Sequence, residues 1–121
     1  MNTDSFKDVQ YVNLITFKRD GTEVVTPVWI AGFQNSLVVT TNVNAGKVKR
    51  VRNNGKAIIY ETNQSGSKQL SEELEVQASL IEDSNLKDQA VAVIKEKYGL
   101  MAKMMIKGSN SNRAIIKLDE L

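Results

Sequence analysis

Lys47, Lys49, Arg50, Arg52 and Lys56 crowd into a stretch between Glu23 and Glu61 that holds no acidic residue, although the net charge of the chain is only +2. A local excess of positive charge of this kind either meets an anionic partner or forms the solvated face of a basic helix. Asn44 can cap a helix over 45–53, which puts Lys47 in the first turn, where the macrodipole disfavours a cation by about 0.3–1 kcal/mol. A phosphate at that helix end reverses the sign, because the free backbone N–H groups, the dipole and Lys47 then act on one anion. Arg50 lies three residues on, shares the face of Lys47 and can add a charge-assisted bond, whereas Lys49 and Arg52 point elsewhere. Just upstream, Thr40, Thr41 and Asn42 end a strand with two hydroxyls and an amide. These can donate to polar atoms beside the phosphate, or serve as ordinary turn residues. Trp29 is open to the same two readings, as core or as site.

The 121 residues include no histidine and no cysteine. That removes disulfides, cysteine nucleophiles, thiolate zinc sites and every general base built on imidazole. A chain so poor in reactive groups either only binds or takes its chemistry from a cofactor. Its length is that of one domain, 1–121, and its 41% apolar and 25% charged residues are ordinary for a globular protein. The longest apolar run, 90–94, cannot cross a bilayer, and Asp4, Lys7 and Asp8 stand where a signal sequence needs apolar residues. The expectation is a cytoplasmic protein with no membrane partner.

The elements that must position the cationic cluster are mainly strands. Residues 11–18 and 23–31 are rich in β-branched and aromatic side chains, and Asp20-Gly21 between them is a hairpin turn. A break at Gln34-Asn35-Ser36 leads to a third strand over 37–41, completing an antiparallel meander. Pro27 cannot donate to a ladder, which places its strand at an edge or bulge. After the basic helix, with Gly55 as its stop, 57–62 and the alternating 75–81 read as strands, separated by a polar turn or loop over 63–71. Leu86, Ala90, Val93, Ile94 and Tyr98 have helical spacing over 85–98, capped by Gly99. Met101, Met104 and Met105 continue that spacing as adaptable packing, and 113–118 closes the chain as a sixth strand after a flexible turn at Gly108-Ser109-Asn110.

Taken in order, Tyr11-Val-Asn-Leu-Ile-Thr-Phe-Lys-Arg-Asp-Gly21, Thr26-Pro-Val-Trp29, Thr40-Thr-Asn42, Gly46-Lys-Val-Lys-Arg50 and Lys97-Tyr98-Gly99 resemble the pyridoxamine 5′-phosphate oxidase-like FMN-binding split-barrel superfamily. The resemblance is to its small branch named for coenzyme F-420 dependence, and it covers nearly the whole chain. It implies a mainly β fold with helices, a six-stranded antiparallel split β-barrel, in a homodimer with cofactors in grooves between the subunits. Thr26, Pro27, Val28 and Trp29 would line the edge of the cofactor ring. Thr40, Thr41 and Asn42 would meet the ring or ribityl chain, Lys47 would hold the phosphate with Arg50 or Lys49, and 63–71 would lie near the mouth. Gly46 stands where similar vitamin-converting enzymes carry a phosphate-binding arginine, which speaks against pyridoxamine phosphate oxidase activity.

The implied function is a flavin-dependent oxidoreductase that binds FMN and passes hydride or electrons to a small molecule, with Tyr60 or solvent handling protons. The alternative cofactor is the deazaflavin coenzyme F-420, whose anionic tail Lys49, Arg52, Lys56 and Lys68 could follow. A non-catalytic cofactor carrier is a third reading. A nucleic-acid-binding module is a fourth, disfavoured by 14 acidic residues and only one Trp, three Tyr and three Phe.

Overall fold

The computed structural model describes residues 1–100, 102 and 112–121. Strand β1 (Val12–Phe17) and strand β2 (Glu23–Val28) pair antiparallel through the hairpin foreseen at Asp20-Gly21. Gly21 adopts φ 88° there, which a side chain would strain. Asp20 locks the turn by accepting from the Thr22 amide at 2.9 Å. The strand expected over 23–31 is two strands, since the chain bends through Trp29 and Ile30 and resumes as β3 (Ala31–Phe33). β3 turns at Gln34, whose φ is 56°, into β4 (Ser36–Asn42).

β5 (Lys56–Glu61), β6 (Leu74–Leu80) and β7 (Arg113–Glu120) complete one seven-stranded sheet of order β2-β1-β5-β6-β7-β4-β3. Seven strands therefore replace the six expected, and the opening strands are no simple meander, because β4 pairs with β3 and β7 rather than with β2. The physical reason is closure. β2 and β3 are the two edges of the sheet yet are joined by only two residues, so the sheet must curl until its edges meet at Trp29-Ile30. The result is a split β-barrel with two helices.

Side chains alternate accordingly. Val12, Leu14, Leu37, Val39, Ile59, Val76, Ile116 and Leu118 fill the interior with Phe6 and Val51. On the outer face of β3, β4 and β7, Ala31, Phe33, Val38 and Ile115 pack under helix α2 (Ser84–Tyr98) through Ala90, Val91 and Ile94. Leu86, expected on that inner face, is exposed instead. Asp83 caps α2 by accepting from the Leu86 amide at 3.0 Å, and Gly99 ends it at φ 62°. Ile15, Phe17 and Ile58 form a separate apolar patch on the outer face of β1 and β5. Met101, Met104, Met105 and the Gly108-Ser109-Asn110 turn lie outside the described residues. Among the described residues no helix is long and apolar enough to cross a membrane.

Helix α1 (Gly46–Asn53) forms as expected, but its cap differs. Ala45 is the N-cap and brings no side-chain acceptor, while the Asn44 amide donates to Asn42 Oδ1 at 2.8 Å. Gly55 is no left-handed stop either. A Cβ there would fall 3.2 Å from Ala78 O and would run into Gln77 Nε2, so this glycine serves close approach to β6.

Candidate functional site

Where the sheet edges meet, a cavity of about 430 Å³ opens, within the range of small-molecule sites. One wall is the end of β2 and the corner after it, with Pro27, Val28 and Trp29. Opposite stand Thr40, Thr41 and Asn42 at the end of β4. Lys47 from the first turn of α1 and Arg113 from the start of β7 supply positive charge, and Tyr11 and Gln64 complete the lining. Thr26 and Arg50 do not line it. Thr26 pairs with Leu14 and so shares the inward face of the barrel. A smaller cleft beside the first residues is lined by Asp4, Lys7 and Glu120, but Lys7 and Asp4 already form an ion pair and Glu120 accepts from Thr3.

Charge sets the character of the larger cavity. Burial pushes the Lys47 ammonium below its ordinary pKa, and the nearby positive charges of Arg50 and Arg113 push it the same way. Burial lowers that of Arg113 as well. The ion pairs among the described residues are Lys7–Asp4 and Lys117–Asp119, and neither involves these three cations. Arg113 Nε donates to Thr40 Oγ1 at 3.3 Å, which orients the guanidinium at the cavity wall. Half-buried cations gathered without a carboxylate are unfavourable by themselves and become favourable around an anion.

Arg50 lies folded back along α1. Its Nε donates to Thr16 Oγ1 on β1 at 2.6 Å, and its Nη1 lies 2.7 Å from where a Cβ at Gly46 would stand. The space a side chain at 46 would enter is thus taken by the guanidinium of Arg50. Tyr60 does not reach the cavity lining, and its hydroxyl accepts from Asn13 Nδ2 at 3.0 Å. The 63–71 loop is a built turn. Asn63 Oδ1 accepts from the Ser67 amide at 2.9 Å, Gly66 has φ 77°, and its carbonyl accepts from Asn13 Nδ2 at 2.9 Å. A Cβ on Gly66 would come 3.2 Å from Pro27, so the loop lies against β2 and brings Gln64 to the cavity.

Seven of the nine residues singled out in the sequence therefore share one cavity. Arg113 and Tyr11 were not among them, whereas Gln64 belongs to the 63–71 segment expected near the mouth. For Arg113 the missing signal was register: it is the Cα partner of Asn42 across β4 and β7, a pairing no local pattern announces. Tyr11 precedes β1 and Gln64 sits in a polar loop, where the residue type alone says nothing.

No protein-family model and no curated protein matches the sequence. Solved structures do. HutZ, the heme storage protein of Vibrio cholerae, superposes at TM-score 0.74 with 19% identity over 100% of this chain and 92% of that one. An F420 reductase gives TM-score 0.65 and 16% identity over 100% and 94%. A candidate pyridoxamine 5′-phosphate oxidase from Listeria innocua gives 0.64 and 18% over 90% and 82%. These likenesses, none above 19% identity, show the fold: the chain shares the split β-barrel of those structures.

Proposed function

We propose that this split barrel is an FMN-binding oxidoreductase, acting as a homodimer on a small molecule. The observation that carries the reading is the shared cavity of Lys47 and Arg113 with an apolar and aromatic wall, Val28 and Trp29, and a polar wall, Thr40 to Asn42. A flavin phosphate needs unpaired cations, its ribityl chain needs hydroxyl and amide partners, and its ring needs flat apolar contact. The donor set fits all three.

Once bound, the flavin ring supplies the redox chemistry, which no side chain here provides. The chain contributes grip and orientation. Lys47 and Arg113 hold the anionic end, with the α1 N-terminus behind them. Because β2 is an edge strand, part of its backbone is unpaired by the sheet, and Pro27 on the cavity wall brings no N–H of its own. The wall of Val28 and Trp29 excludes water from one side of the ring.

The F420 reductase neighbour keeps the deazaflavin as a second reading. Heme has no such support: HutZ stores it, but this chain lacks the histidine and cysteine that most often ligate heme iron.

Titration with FMN, riboflavin and the deazaflavin tests the reading, followed by quenching of Trp29, the single tryptophan. Charge-assisted bonds to a phosphate are worth about 1.5–3 kcal/mol, so FMN should outbind riboflavin by about ten- to a hundredfold. Equal affinity for both would remove the phosphate grip, and no binding of any of the three would remove the flavin altogether.

A further inference from the structure

The last turn of α2 makes more contacts with remote backbone than its helix needs. Lys97 Nζ donates to three carbonyls, Lys7 O at 3.0 Å, Val9 O at 2.6 Å and Ile30 O at 2.5 Å. That uses all three ammonium protons without a carboxylate. The Tyr98 hydroxyl accepts from the Ile30 amide at 2.9 Å and shares its proton between Gln10 O at 2.8 Å and Ile30 O at 3.0 Å. Its ring stacks on Trp29 with centroids 4.3 Å apart and planes 7° from parallel. Burial pushes the Tyr98 phenol up to about 12, so it remains a donor at any ordinary pH.

Every one of these acceptors except Lys7 O lies within two residues of Tyr11 or Trp29, the two aromatic residues of the cavity. The backbone on both sides lies outside the regular sheet, with Val9 N donating to Phe6 O at 3.3 Å and Tyr11 O accepting from the Thr62 amide at 3.0 Å. Residues 7–11 precede β1, and Trp29-Ile30 is the bend between two strands at opposite edges of the sheet.

We propose that Lys97 and Tyr98 are positioning residues for the cavity: a two-residue clamp at the end of α2 that fixes Tyr11 and Trp29 at a set separation, and so tunes the site for a flat ring. The inference rests on the cavity being the ligand site argued above. It adds that ring recognition is governed by a helix whose own residues touch no ligand.

The single tryptophan permits a test in two stages. Without ligand, Lys97→Met and Tyr98→Leu are expected to shift Trp29 emission to longer wavelength and raise its quenching by acrylamide. With FMN, both should lose about three- to tenfold in affinity, the range of one aromatic stack. Tyr98→Phe keeps the stack and the volume, so it remains folded even where the leucine variant does not. It should show the affinity loss with a smaller emission shift. Val76→Ala, a cavity-forming change in the barrel interior, is the structural control and should lower Tm while leaving emission and FMN affinity unchanged. Unchanged emission in Lys97→Met and Tyr98→Phe overturns the clamp, as do unaltered FMN affinities or a Val76→Ala variant that moves both readouts equally. Should the wild-type protein bind no FMN, the flavin reading fails by itself and the ligand-free emission alone decides whether the clamp exists.

Discussion

Lys47 carries the sharpest consequence of a single side chain. In the ligand-free protein its ammonium is held below the ordinary lysine pKa by burial and by Arg50 and Arg113, whereas a bound phosphate raises it. Anion binding therefore takes up a proton in the window between the lowered and the raised value. Affinity is full below that window and falls as pH rises through it, because the free protein then holds Lys47 neutral. The expected result is an FMN-to-riboflavin affinity ratio that declines on the alkaline side in the wild type. It should stay flat in Lys47→Arg and be reduced about tenfold at neutral pH in Lys47→Met. A ratio that ignores pH in the wild type would take Lys47 off the anion. Lys47 was legible in the sequence because a cation in the first turn of a helix is an electrostatic misfit. Arg113 was not, since it becomes a neighbour only through the β4–β7 register.

At the scale of elements, the helices and most strands were legible because their apolar spacing survives in the fold, while their ends were not. Asn44 has the side chain of a cap, yet its backbone is engaged by Asn42, and Ala45 takes the cap position. Gly55 looked like a stop, and local sequence cannot separate a glycine needed for positive φ from one needed for close approach. The contacts separate them. Ala78 donates its amide to Gly55 O at 2.6 Å, and a Cβ at 55 would press on Ala78 O at 3.2 Å, a backbone atom that cannot swing aside. Gly55→Ala should destabilise by about 1–3 kcal/mol in denaturant unfolding. Gly46→Ala meets only the guanidinium of Arg50, a flexible group, and should cost less than about 1 kcal/mol while loosening the Arg50–Thr16 bond. If the two glycines prove equally costly, contact with β6 is not what fixes Gly55.

For the whole molecule, the question is what covers the second outer face of the barrel. α2 shields β3, β4 and β7, but no helix lies over Ile15, Phe17 and Ile58 on β1 and β5 among the described residues. Tyr60 packs against those three and Lys56 Nζ lies 5.3 Å from the Phe17 ring centroid, while beside them Val25, the partner of Ile15 on β2, is 48% exposed. An apolar sheet face ending in an edge strand is a surface that soluble chains cover, and a second copy is the simplest cover because a two-fold interface repeats one patch. Such a copy would also reach the cavity, since β2 forms both the edge of this patch and one cavity wall. The resemblance already implies a homodimer with grooves between the subunits, but the residues of β1 do not say which face would meet a partner, because all six are buried. A homodimer formed through this patch would link assembly to the site. Light scattering should give twice the chain mass for the wild type, and Val25→Lys, which puts a charge on the patch without touching the cavity lining, should give the single mass. The same variant should lose FMN affinity although Lys47, Arg113 and Trp29 are intact. A Val25→Lys monomer that binds FMN as tightly as the wild type would show that one barrel holds the whole site, and the partner would have to be sought for reasons other than the cofactor.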